Sequence, residues 1–192
     1  MCVLLTPAAP AQSKQQGAVT SSDGGGPVAG PLVSYTEESA TLTVQDGQEV
    51  VVTMTHGWTV SKPHQMTIAT IKKGDFVATG NQPIDDHTGK STELRIFEPG
   101  YERDYGTKPA QNGGVETHGT VSEVKETPAG AELEVQYPGG SRHLLVPTGL
   151  KVTRFELLTR DALKPGTPVH AVLLKEGEGV YRAGRLTLNP QR

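Results

Sequence analysis

The sequence predicts an all-β protein assembled from two tandem copies of one small, five-stranded barrel. Three observations predict it: abundant turn formers beside few large apolar residues, a set of motifs that recurs at fixed spacing, and period-two alternation inside the recurring segments. Among 192 residues there are 23 Gly and 14 Pro, whereas aromatic residues make up 5% and apolar residues 34%. That is too little apolar material for one deep core, and it suits thin-cored β units joined by turns. No apolar run approaches the roughly eighteen residues of a membrane-spanning helix.

The chain opens with Met1-Cys2-Val3-Leu4-Leu5, a short apolar run, and Ala9-Pro10-Ala11 fits the small-x-small pattern of a signal-peptidase site. Residues 1–11 are therefore expected to be the remnant of a signal peptide, although a basic n-region is missing. The expected location is periplasmic or secreted, in a bacterium. Cys2 is the single cysteine, so a mature chain cut after Ala11 would carry no disulfide, no thiolate metal site and no cysteine nucleophile. Residues 12–30 are Ser, Gln, Gly and Pro with little to bury, and are expected to be a disordered leader.

The first barrel is expected over residues 31–97 and the second over 117–190. Thr41-Leu42-Thr43-Val44-Gln45 is echoed by Glu132-Leu133-Glu134-Val135-Gln136, and the turn signal Asp46-Gly47 by Pro138-Gly139-Gly140. Val50-Val51-Val52-Thr53-Met54 is matched by Arg142-His143-Leu144-Leu145-Val146, and Gly57-x-x-Val60 by Gly149-x-x-Val152. A second glycine follows each at the same interval, Gly74 after Gly57 and Gly166 after Gly149. Asp86-His87-Thr88-Gly89 before Leu94-Arg95-Ile96-Phe97 corresponds to Glu176-Gly177-Glu178-Gly179 before Gly184-Arg185-Leu186-Thr187-Leu188. Matched intervals between two glycine pairs identify an internal duplication. Within each copy the alternation puts Val50, Val52 and Met54 on one face and Val51, Thr53 and Thr55 on the other, as in half-buried antiparallel strands. Single helical turns are expected at Ile68–Ile71 and Thr159–Leu163. Five short strands with one helical turn between the third and fourth is the plan of an OB-like barrel. Residues 98–116, rich in Gly, Pro and charge, are expected to be a linker that Tyr101 and Tyr105 tack onto a barrel.

Leu163-Lys164-Pro165-Gly166-Thr167-Pro168-Val169 followed by Ala183-Gly184-Arg185-Leu186 resembles bacterial secreted proteins that carry an OB-like barrel domain of unknown function. Ile71-Lys72-Lys73-Gly74-Asp75-Phe76-Val77 and Leu94-Arg95-Ile96 are the first copy's version. The resemblance covers residues 31–188 and implies a periplasmic location and tandem barrels. It carries over no functional residue.

The chemistry-bearing motifs of common enzymes are missing: there is no Gly-x-Ser-x-Gly elbow, no His-Glu-x-x-His, no phosphate-cradling loop and no dinucleotide fingerprint. No local grouping supplies nucleophile, base and orienter together, so a non-catalytic protein is expected. The formal net charge is −3, with both signs interleaved, which disfavours nucleic acid. One constellation stands out. Met54 and His56 lie two apart on a strand and leave the same face, and His64 and Met66 repeat the pattern in reverse. Two thioethers and two imidazoles suit Cu(I) or Ag(I), and Trp58 is placed to cap such a cation through its ring face. The duplication supplies a competing account, because Met54 aligns with Val146, Trp58 with Leu150 and Met66 with Leu158. By that account the Met and Trp residues are core, and His56 (aligned with Thr148) and His64 (with Glu156) are rim positions. Asp85-Asp86-His87 reads as a solvated turn. The leading expectation is a non-catalytic binding or structural module with an envelope protein or glycan as partner. The alternative is a periplasmic Cu(I)/Ag(I) protein using Met54, His56, His64 and Met66.

Overall fold

The computed structural model describes residues 26–44, 47–99, 101, 104–110, 113–177 and 180–188. The expected signal remnant, residues 12–25 of the expected leader, and the turn residues Asp46, Glu178 and Gly179 lie outside them. Thirteen strands form: β1 (Gly26–Tyr35), β2 (Ser39–Thr43), β3 (Glu49–Met66), β4 (Phe76–Pro83), β5 (Thr88–Ser91), β6 (Leu94–Phe97), β7 (Gly106–Pro109), β8 (Val115–Thr127), β9 (Gly130–Tyr137), β10 (Gly140–Pro147), β11 (Val152–Leu158), β12 (Pro168–Gly177) and β13 (Val180–Leu188). Two 3-10 turns, Ile68–Thr70 and Arg160–Ala162, are described in full. They stand at corresponding positions of the two copies. β1 starts at Gly26, inside the segment expected to be a leader, and β7 lies inside the expected linker.

The protein is all-β, and its strands close into rings. β1, β2 and β3 follow one another as an antiparallel meander, β12 pairs with the outer edge of β1, and β13 joins β12 to β3, making a closed five-stranded barrel. β8, β9 and β10 form the equivalent meander, with β4 on the edge of β8 and β5 joining β4 to β10. Each ring therefore takes its meander from one copy and its remaining two strands from the other. The segments 31–97 and 117–190 do not close on themselves, which corrects the sequential arrangement expected from the duplication.

The physical reason lies in β3. Gly57 has φ +69°, a conformation costly for other residues, and it bends the strand without ending it. β3 therefore runs on to Met66 and delivers the Ile68–Thr70 turn and β4 to the second ring. In the second copy the chain turns at Gly149, φ +83°, between β10 and β11, and β11 carries Arg160–Ala162 and β12 to the first. The two crossing strands pair antiparallel, from Val60 opposite Leu158 to Met66 opposite Val152. Pro63 and Phe155, which the duplication aligns with each other, are direct partners. A position that meets its own counterpart marks a two-fold axis, so the molecule is an internal, self-complementary pair.

Two main cores follow from this exchange. One combines Leu32, Leu42, Val52, Met54 and Trp58 with Val169, Leu173 and Leu186. The other combines Ile71, Val77, Leu94 and Ile96 with Val121, Leu133, Leu144 and Val146. Burying each such side chain contributes about 1.5–3 kcal/mol, and neither copy can collect a full set alone. Gly30 and Gly119 sit at matching places. A Cβ there would fall 1.8 Å from the Thr43 carbonyl oxygen and 2.4 Å from that of Gln136, so only glycine lets the strands approach.

Candidate functional site

The structure does not bring Met54, His56, His64 and Met66 together. Met54 is buried in the first core, whereas Met66 packs against the second. Twelve residues of one strand, at about 3.3 Å each, separate them, so no single ion reaches both thioethers. His64 is held in the crossing ladder, its Nε2 2.7 Å from Glu156 Oε2, and His56 is exposed on the first ring. Trp58 is buried, and the face offered for a cation is already covered: Arg160 lies 4.2 Å from the ring centroid. Its indole N–H donates to the Glu37 carbonyl at 3.1 Å, and Tyr35 meets the ring edge-on at 5.8 Å. Among the described residues no group of three or more His, Cys, Asp or Glu is placed to hold a metal ion.

The chemistry-rich region lies instead where the outer face of the first ring meets the end of β6. A cleft of about 220 Å³ is lined by Phe97, Tyr101, Phe155, Arg185, His170 and Arg95, with Val172 and Leu174 at its edge. Local structure puts each in place. A register shift between Ala183 and Arg185 interrupts the alternation of β13, so Ala183 and Leu186 both point inward and Arg185 is turned out. Phe155 sits at the two-fold position of β11. Phe97 stacks on it at 5.1 Å with the planes 6° apart, and Tyr101 stacks on Phe97 at 4.3 Å. The Arg185 guanidinium lies 3.6 Å from the Tyr101 ring centroid and donates to Glu98 Oε1 at 2.7 Å. This pair is deeply buried, with side-chain exposures of 11% for Arg185 and 6% for Glu98. It joins β13 of the first ring to the residue following β6 and so fixes the cleft's floor. Phe76 and Tyr105 extend the aromatic cluster, 5.2 Å apart.

The cleft's edge is apolar and open. Val172 and Leu174, both outward on β12, are 50% and 49% exposed. Its charged groups are internally compensated: Arg95 bonds Glu116 at 2.6 Å and Glu93 at 2.9 Å. Burial pushes the Glu116 carboxyl up, but hydrogen bonding from His118 and the nearby Arg95 charge outweigh it, leaving the group below its usual range. The arrangement is an aromatic–arginine floor with an apolar rim, able to seat an apolar group.

Arg95, Phe97 and Arg185 stood in the recurring strand motifs of the two copies, but no motif in the sequence brought them together with Tyr101 and Phe155. Tyr101 and Tyr105 were legible as anchors of their segment, but the contribution of Phe155 and Arg185 depends on the strand exchange. Asp85 forms the expected solvated turn: its Oδ1 accepts the N–H groups of His87 at 2.8 Å and Thr88 at 2.6 Å. These bonds, that of His87 foremost, hold its carboxyl below the usual range. The buried Arg142 donates to Asn81 Oδ1 and to the Asp86 and Thr88 carbonyls, each at 3.0 Å, tying β10 to the β4–β5 hairpin. No helix among the described residues is long and apolar enough to cross a membrane. Comparison with protein families, curated proteins and solved structures finds no match to this chain.

Proposed function

We propose that the protein is a non-catalytic binding module, and that the cleft at Arg185 is where it takes a protein partner. The observation that carries this reading is the pairing of exposed Val172 and Leu174 with a preformed aromatic–arginine floor, the anatomy of an interface centre. The aromatic faces favour a protein over a glycan: Phe97 is stacked on both sides and Tyr101 is covered by Arg185, so no broad face remains to lie against a sugar. In this reading each ring is an OB-like barrel, with its short helical turn placed before the fourth strand, and the two are interlocked. The signal-like Met1–Ala11 run supports a periplasmic or secreted setting, with an envelope protein as partner.

The test is immobilised full-length chain against a bacterial envelope fraction, beside a Val172→Asp/Leu174→Asp variant whose fold is checked by circular dichroism. A partner retained by the native chain and weakened by about 30-fold or more in the variant, as loss of a hot spot requires, is expected. A partner that binds both chains equally would overturn the assignment of the cleft.

A further inference from the structure

The internal duplication lets each ring serve as a reference for the other, and one difference between them points to a ligand site. In the first ring the indole of Trp58 is wedged between Tyr35 and Arg160, beside Leu163 in the same core. Two of the three counterparts in the second ring are smaller, and none is charged. Ile68 corresponds to Arg160 and Ile71 to Leu163, and Val124, three residues past the buried Val121, corresponds to Tyr35, three past the buried Leu32. Those three second-ring residues line a cavity of about 200 Å³, together with Ala69, Ala131 and Thr148. Trp58 itself corresponds to Leu150, whose side chain does not reach that cavity. Leu150 lines a separate cleft with Gly149 and Lys151. The space that one ring fills with its own indole is thus left open in the other.

We infer that this cavity of the second ring is a binding site for a free, uncharged, planar aromatic molecule of about indole size. The first ring shows what the backbone frame accommodates there: one fused aromatic ring, packed edge-on against the side chain at the Val124 position. Replacing Arg160 by Ile68 removes the cation that covers the indole face, so the second ring offers an apolar wall and no positive charge to an anion. Glu126 at the cavity's rim disfavours a carboxylate further. Thr127 and Thr148 supply rim oxygens for a ring N–H or O–H. A ligand of this size packed against Ile and Val side chains is expected to bind with a dissociation constant on the order of 0.1 mM. The site is separate from the Arg185 cleft and does not depend on that cleft's role.

The experiment is titration of the full-length, ¹⁵N-labelled chain with indole, followed by amide shifts, with benzoate and N-acetyltryptophan amide as comparison probes. Saturable shifts at Ile68, Val124 and Ala131, with benzoate at least tenfold weaker, are expected. Leu150→Trp fills the cavity from inside, and Val124→Tyr narrows it as Tyr35 does in the first ring. Each variant, if folded, should weaken indole at least tenfold, and the two independent changes guard against one failing to fold. No saturable shift at millimolar indole, undiminished binding in both variants, or equal binding of benzoate would overturn the inference. N-acetyltryptophan amide binding tenfold tighter than indole would make the occupant a partner's side chain and overturn the free-molecule reading.

Discussion

Replacing Arg185 by Met should destabilise the fold far more than an ordinary surface substitution. Arg185 and Glu98 are 2.7 Å apart with side-chain exposures of 11% and 6%, so losing one partner leaves a charge stranded where water does not reach. That situation costs about 3–5 kcal/mol, and the lost stacking on Tyr101 at 3.6 Å adds on the order of 1 kcal/mol. Removing both charges with Glu98→Leu/Arg185→Met should recover most of the loss, because a buried pair replaced by apolar groups is often near neutral. The assay is equilibrium urea denaturation of the four proteins of the cycle at pH 7, with unchanged m-values as a check on two-state behaviour. Arg185→Met within about 1 kcal/mol of the native chain, or a double variant as unstable as the two single losses summed, would refute the reasoning. Either result would mean that the pair is solvated and does not fix the cleft.

Further outcomes follow from other contacts. Trp58→Leu removes the indole bond to the Glu37 carbonyl, the edge contact with Tyr35 and the Arg160 stack, and should cost about 2–4 kcal/mol in urea titrations. Glu116→Gln should cost about 0.5–1 kcal/mol at neutral pH, since the ion pair with Arg95 is more than a third exposed. The Glu116 carboxyl is held below 4.5, so its stabilisation is present in full above that value and is lost as the pH falls through the lower folded-state value. Urea titrations of native and Glu116→Gln chains should therefore converge at low pH and diverge as pH rises. Met54→Leu/Met66→Leu should cost about 1–2 kcal/mol through repacking of two separate cores and leave Cu(I) competition with a chromophoric chelator unchanged; metal binding lost only in that variant would contradict the placement.

Much of the architecture was legible because β-structure writes itself locally. The alternation of Val50, Val52 and Met54 reports an inward face, and Leu133, Val135, Leu144 and Val146 repeat it in the second copy; all are buried in the structure. The duplication was legible for the same reason, since Gly57 and Gly149 hold corresponding positions and both take positive φ. Which copy's strands complete each ring was not. The pairing of β1 with β12 instead of β4 depends on where the segments beyond Gly57 and Gly149 lead, and both choices satisfy the same hydrophobic pattern. His56 and His64 look close in sequence, but one strand carries Met54 and Met66 to different cores. The cleft was hidden for the same reason, because Phe97 and Arg185 become neighbours only through the exchange.

The two copies exchange strands, and a pair of engineered cysteines reads that exchange out. Pro27 and Val172 are direct partners across the β1–β12 ladder, where paired Cα atoms lie about 4.5–5.5 Å apart, within reach of a disulfide. Pro27→Cys/Val172→Cys, with Cys2→Ser to remove the native thiol, should cross-link quantitatively under mild oxidation, read by mass under non-reducing digestion. Gly80 holds the position corresponding to Val172 in the first copy, so Pro27→Cys/Gly80→Cys should remain reduced. Cross-linking of the Gly80 pair and not of the Val172 pair would show that each copy closes on itself, contradicting the interlocked arrangement and the cleft built upon it.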